Sequence, residues 1–144
     1  MNERMIVNVE ILVERDGRYL MIVRSDDEDY GAGWLTLPGG KLEPDATDLR
    51  ALEVTARREL KEEVDLDVAP EDIRYVESHM FAVNDVPVLD VVMMTHSARG
   101  EARAVDAAEV AGVVWMTPGE IDAHPDVPAW TRASVACAIA QGIT

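Results

Sequence analysis

An α/β/α sandwich around a mixed β-sheet is the fold class that this chain of 144 residues predicts. Three observations point to it: a strand pair opens the chain, an amphipathic helix follows it, and after further β-rich segments comes a second helix. Sheets and helices that alternate in this way bury their apolar faces by layering.

The elements can be justified in order. Residues 5–15 and 18–24 read as strands joined at Asp16-Gly17, a two-residue hairpin signal. Arg24 to Gly33 is an acidic loop, and 33–37 adds a short strand before Pro38-Gly39-Gly40. That tripeptide signals a turn, and its glycines permit either positive φ or a close backbone approach. The periodicity predicts a helix over 49–64, bounded by Asp65 and, further on, Pro70. Residues 73–83 and 88–98 are β-rich around Asn84-Asp85-Val86-Pro87, and a strand follows near 112–116. Thr117 is an N-cap with Pro118 at the first helical position, which opens a short helix to about His124. A last helix starts near Val127-Pro128 and runs through Ala140, ended by Gly142.

The most informative stretch is Arg58-Glu59-Leu60-Lys61-Glu62-Glu63. At about 100° per residue, Glu59, Glu62 and Glu63 fall within one arc of about 100°. Leu49, Leu52, Ala56 and Leu60 form the adjoining stripe, expected to pack on a core, while Arg57 and Lys61 lie on the far side. Like charges one turn apart disfavour a helix by roughly 0.2–0.5 kcal/mol per pair. A solvated acidic face is the plain explanation. The sharper one is a hard divalent cation, since Mg²⁺ takes a few carboxylates and accepts substrate phosphates.

The order strand, glycine loop, acidic helix favours the sharper reading. Together these parts resemble the Nudix hydrolase box, G-x5-E-x7-R-E-U-x-E-E-x-G-U, at Gly40, Arg58, Glu59, Leu60, Glu62, Glu63 and Leu66. The flanking Leu37-Pro38-Gly39 is also characteristic. There are three departures. The spacing from Gly40 to Arg58 is four residues longer than the pattern, so Asp45-Ala46-Thr47-Asp48 reads as an insertion. The outer box glutamate is absent: counting back from Arg58 it falls on Arg50, and counting forward from Gly40 it falls on Ala46. Glu53, Asp45 and Asp48 are the available substitutes for its role of orienting Arg58. Finally, Asp65 replaces the glycine after the helix, where a left-handed residue is expected, and Asp tolerates that region better than most.

The resemblance implies a function, and it implies roles for particular residues. Glu59 and Glu63 would be the principal metal ligands, and Glu62 a third ligand or the holder of a metal-bound water. The Gly39 carbonyl would complete part of the shell, and Arg58 would position the glutamates. The cofactor is then Mg²⁺, with Mn²⁺ as a substitute, and it would neutralise a diphosphate and lower the pKa of a bound water. Glu109, ahead of the strand Val113-Val114-Trp115-Met116, matches the late glutamate that serves relatives as base or extra ligand; Asp106 is the alternative. The implied activity is metal-dependent pyrophosphohydrolysis of a nucleoside diphosphate linked to another moiety.

A nucleoside triphosphate, oxidised ones included, is the favoured substrate of this small chain. ADP-ribose or another nucleoside diphosphate derivative is the alternative, although the proline that marks the ADP-ribose subgroup is replaced here by Ala82 and the tyrosine that marks the dinucleoside polyphosphate subgroup by Val83. A catalytically quiet nucleotide-sensing or interaction domain is the reading that the altered Arg50 position leaves open.

Composition agrees with these expectations. The length suits one domain over residues 1–144, and a net charge of −15 argues against nucleic-acid polymers while allowing a phosphorylated small-molecule substrate. No apolar run reaches a membrane span, and the N-terminus has no signal peptide's pattern. Cytoplasmic location is the expectation, and a homodimer is left open. Cys137, the one cysteine, reads as a buried inert thiol. Trp34 and Trp115 read as core or sheet-face residues, with Tyr30 within reach of a nucleobase. Met93, Met94 and Met116 read as core fillers, and His79, His96 and His124 lack ligand spacing. Arg24 and Arg99 read as solvated residues at strand ends.

Overall fold

The computed structural model describes residues 4–43 and 47–142. Strands β1 (Ile6–Arg15) and β2 (Arg18–Arg24) form the expected hairpin, with Arg15 opposite Arg18. Asp16 and Gly17 both take positive φ, 54° and 80°, as a two-residue turn of this hand requires. Then come β3 (Leu35–Thr36), β4 (Gly39–Lys41), helix α1 (Ala51–Val64), β5 (Arg74–Val83), β6 (Val86–Thr95), β7 (Val110–Met116), α2 (Pro118–Ala123) and α3 (Ala129–Gln141).

The sheet runs β3-β2-β1-β6-β5, with β4 pairing β1 and β7 pairing β2. Only β1 and β6 run parallel, Ile6 opposite Val88 through Val13 opposite Thr95; the other pairings are antiparallel, so the sheet is mixed. Alternation along β1 builds a core on each face. Val9, Ile11 and Val13 pack with Ala56, Leu60 and Val64 of α1. Leu12 joins Met21, Val92, Met94, Ile121, Val135 and Ala138 on the side of α2 and α3. Helices therefore cover both sides of the strands, as the sandwich requires. Met93, Met94 and Met116 are buried, in agreement with their expected filling role.

Several boundaries differ for physical reasons. Gly39-Gly40 is strand as well as turn: β4 lies antiparallel to β1, with Gly39 opposite Glu10. Neither glycine has positive φ. At Gly39 the requirement is a close approach, because a Cβ there would strike the Val9 carbonyl.

The acidic helix begins at Ala51 rather than at residue 49. Arg50 stands at its N-cap with φ 58° and ψ 44°, a left-handed conformation that throws Leu49 off the helix. Leu49 is 91% exposed, so it does not belong to the buried stripe formed by Ala56 and Leu60, against which Leu52 is only partly buried. Asp65 closes the helix at φ 61° and ψ 35°, its N–H donating to the Lys61 carbonyl. It takes the left-handed role expected of it, and its carboxylate meets Lys61 and Arg103.

The β5–β6 turn is tighter than expected. Asn84 and Asp85 alone carry positive φ, and Val86 and Pro87 already pair with Val83 and Ala82. Thr117 and Glu120 complete a reciprocal capping box at α2, and Gly142 ends α3 in the left-handed region. No helix of the described residues is long and apolar enough to cross a membrane. Asp45 and Ala46 of the lengthened loop lie outside the described residues.

Candidate active site

Helix α1 delivers its acids in two directions. Glu59 and Glu63 turn inward beside β4, whereas the Glu62 side chain is 61% exposed and lies 3.9 Å from Arg58. Glu63 Oε1 accepts a hydrogen bond from the Gly39 N–H at 2.8 Å. Glu59 Oε1 accepts from Arg58 Nη2 at 3.1 Å, and the same guanidinium nitrogen donates to the Lys41 carbonyl. A Cβ at Gly40 would collide with the Glu59 carboxyl, so that glycine makes room for the acid.

These carboxyls raise one another's proton affinity. Burial pushes Glu63 up to about 8, against the Gly39 hydrogen bond, and repulsion from Glu59 and Glu109 adds to the rise. Burial likewise raises Glu59, helped by Glu62 and Glu109 and opposed by Arg58. Glu109 thus shares an electrostatic field with Glu59 and Glu63. Asp106 is engaged elsewhere, its Oδ1 accepting from the Ala108 N–H and its carbonyl from the Glu109 and Val110 amides.

Among the described residues no group of three or more His, Cys, Asp or Glu is gathered closely enough to hold a metal. Two half-buried carboxyls that repel each other beside a glycine cradle, with hard oxygen donors throughout, nonetheless fit a divalent cation chemically. Glu59 and Glu63 would hold it, with the Gly39 carbonyl adjacent.

Arg58 receives its support from an unexpected residue. Glu43 lies 4.0 Å from its Nη2, whereas Glu53 faces Arg50 at 3.9 Å, and among the described residues Asp48 forms no ion pair with Arg58. Asp45 falls outside the described residues.

A cavity of about 370 Å³ extends from Gly39 and Glu63 to a group of aromatic rings. Trp34 is its centre, edge-on to Tyr30 at 5.2 Å and to Trp130 at 5.6 Å; Phe81 stacks on Trp130 at 6.0 Å and 17°. Trp34 therefore lines a pocket instead of filling a core. The turn that precedes it runs through Gly31 and Gly33, both at positive φ. Trp115 remains a sheet-face residue, with the Arg15 guanidinium 5.1 Å from its ring centroid.

Arg24, expected to be merely solvated, lines the cavity and donates to the Tyr30 carbonyl at 2.8 Å. Arg99 pairs its backbone with Asp67 across the far end of α1. Cys137 is half-buried, 3.0 Å from the Gln141 amide.

Sequence reasoning missed Asn8, Glu10, Phe81 and Trp130, which also line the cavity. A signal existed for two of them. Asn8 and Glu10 are polar interruptions at alternate positions of an otherwise apolar strand, and Asp90 does the same on β6. Glu10 is held well above the ordinary carboxylate range, first by burial and then by a hydrogen bond shared with Asp90.

Comparison with known proteins agrees with the geometry. A family model described as NUDIX domain matches residues 4–136. The CTP pyrophosphohydrolase of Escherichia coli (strain K12) is 31% identical over 126 residues, covering 88% of this chain and 86% of the relative. The crystal structure of a MutT NUDIX hydrolase from Burkholderia pseudomallei superposes with a TM-score of 0.77 at 25% identity, over 93% of this chain and 98% of that one. The solution structure of the E. coli ORF135 protein gives 0.78 at 26% identity, over 98% and 93%. The chain belongs to the NUDIX domain family and is a Nudix hydrolase, acting on pyrophosphate bonds.

Proposed function

We propose that this chain is a divalent-metal-dependent pyrophosphohydrolase of nucleoside triphosphates, with cytidine nucleotides as its leading substrates. The observation that carries the reading is the continuity of the cavity, with Glu63 and Gly39 at one end and Trp34, Trp130 and Phe81 at the other. A nucleotide has the same two-ended chemistry. Its base stacks on aromatic rings, and its phosphates need cations. The likeness to a CTP pyrophosphohydrolase over most of both chains supports the cytidine assignment.

When bound, Mg²⁺ or Mn²⁺ supplies charge neutralisation for the phosphoryl oxygens and acidifies a water. The protein groups do the rest. Glu59 and Glu63 would hold the ion, Arg58 restrains Glu59, and the Gly39 N–H restrains Glu63. Arg24 and Lys41, the cations that line the cavity, meet the phosphates. Glu109 takes the proton from the attacking water, which forms a new P–O bond as the bridging P–O bond breaks. Catalysis of this kind rests on placement and charge more than on covalent chemistry.

The test is pyrophosphate and phosphate release from a panel of nucleoside triphosphates and ADP-ribose with Mg²⁺ or Mn²⁺. Turnover of the triphosphates, fastest for CTP, is expected, and absence of turnover throughout the panel would overturn the reading.

A further inference from the structure

The floor of the cavity is polar, which a stacking pocket does not need. Strands β1, β6 and β5 lie side by side, and their register brings Asn8 opposite Asp90 and Asp90 opposite His79 on one face. Glu10 and Glu77 stand one step along the same face, both opposite Val92. Asp90 is 1% exposed and Glu10 9%, beneath Ser134 of α3, which donates to Glu77 at 2.7 Å. Burying such groups in a sheet interior is unfavourable unless they are partnered. Here the partnering is incomplete. Asp90 Oδ2 and His79 Nε2 face each other at 3.3 Å without a well-directed hydrogen bond.

Two of these residues, Asn8 and Glu10, line the cavity. The Asn8 amide cannot turn over freely, because its Nδ2 donates to Asp90 Oδ1 at 2.8 Å. The amide oxygen is then the group left to face a ligand, and it accepts from no donor among the described residues. The floor thus offers an acceptor whose orientation is locked.

We propose that Asn8 reads the edge of the bound base and makes the pocket prefer an amino group to an oxo group at pyrimidine C4 or purine C6, cytosine over uracil and adenine over guanine. The cytosine amino group donates to Asn8 Oδ1. A 4-oxo base sets its oxygen against the amide oxygen, which Asp90 prevents from exchanging places with the NH₂. Asp90 is accordingly a positioning residue. This assignment rests on the proposed nucleotide reading of the cavity and is tested apart from it.

Equilibrium binding of CTP, UTP, ATP and GTP is measured by calorimetry with Ca²⁺ in place of Mg²⁺, so that affinity is read whether or not hydrolysis occurs. The expected wild-type preference is at least about tenfold for each amino base over its oxo counterpart. Asn8→Ala should erase most of that ratio while leaving UTP affinity within about threefold. Asp90→Asn frees the amide to flip and should do the same, which keeps the test open if one variant fails to fold. Equal binding of amino and oxo bases by the wild type, a ratio unchanged in Asn8→Ala, or no binding of any nucleotide would overturn the assignment. Failure of hydrolysis alone, with the binding ratio intact, strikes only at the proposed activity.

Discussion

The Gly39 amide and the Glu63 carboxylate, 24 positions apart, are joined by a 2.8 Å hydrogen bond that ties β4 to the inner face of α1. The bond places a backbone carbonyl and a carboxylate side by side at the mouth of the cavity. We expect Glu63→Gln to lower kcat by at least about 100-fold in the pyrophosphate-release assay, with little change in fold by circular dichroism. Glu59→Gln combined with Glu63→Gln should abolish turnover, and full activity of the double variant would refute these ligand roles.

Raising the pH should weaken the metal-free protein through Glu63. Its carboxyl sits near 8 in the folded chain, against an ordinary value of about 4.3 when unfolded. The stabilising proton is therefore fully in place below about pH 4.3 and is lost as pH rises through about 8, by up to ~1.4 kcal/mol per unit. Thermal melts from pH 5 to 9 in chelator should show this slope, and Glu63→Gln should flatten it. Divalent metal at pH 7 should expel protons, which titration calorimetry in buffers of different ionisation enthalpy detects.

Glycine at position 40 is expected to be indispensable. Gly40→Ala drives a methyl group into the Glu59 carboxyl, so metal affinity and kcat should both fall at least about tenfold. Melting temperature in chelator separates this displacement from general unfolding. A variant with unaltered metal affinity would show that Glu59 is free to move.

Arg58 has no outer box glutamate to hold it, and Glu43 stands in at 4.0 Å. Arg58→Ala should cost about 10–100-fold in activity, whereas Glu43→Gln should cost less, because the pair is solvent-exposed. Equal effects of the two substitutions would assign Glu43 a larger role than its geometry supports.

Asp65 supplies a clean stability test. Asp65→Ala forces a residue with no compensating ion pairs into φ 61° and should lower the midpoint of a urea titration. Asp65→Gly relieves the backbone but gives up the contacts with Lys61 and Arg103, so its net change should be smaller.

What could be read in the residue string was local chemistry. Asp16-Gly17, Thr117-Pro118 and Gly142 state their turns and caps within a few residues, and the helix containing Glu59 and Glu63 declares itself by period. What could not be read depended on register between distant strands. Asn8, Asp90 and His79 become neighbours only because β1 pairs β6 and β6 pairs β5, and Trp130 reaches Phe81 from a helix nearly fifty positions later. The left-handed Arg50, which displaced Leu49 from the stripe, was hidden for another reason: such a conformation is uncommon in a residue that is neither glycine nor asparagine.

Trp34 and Trp130 touch at the cavity wall, and Trp115 is the third indole of the chain. The binding site therefore carries its own optical label. Its emission colour and intensity should change when a heteroaromatic ring slides between or over them, so occupancy can be followed in real time without attaching a dye.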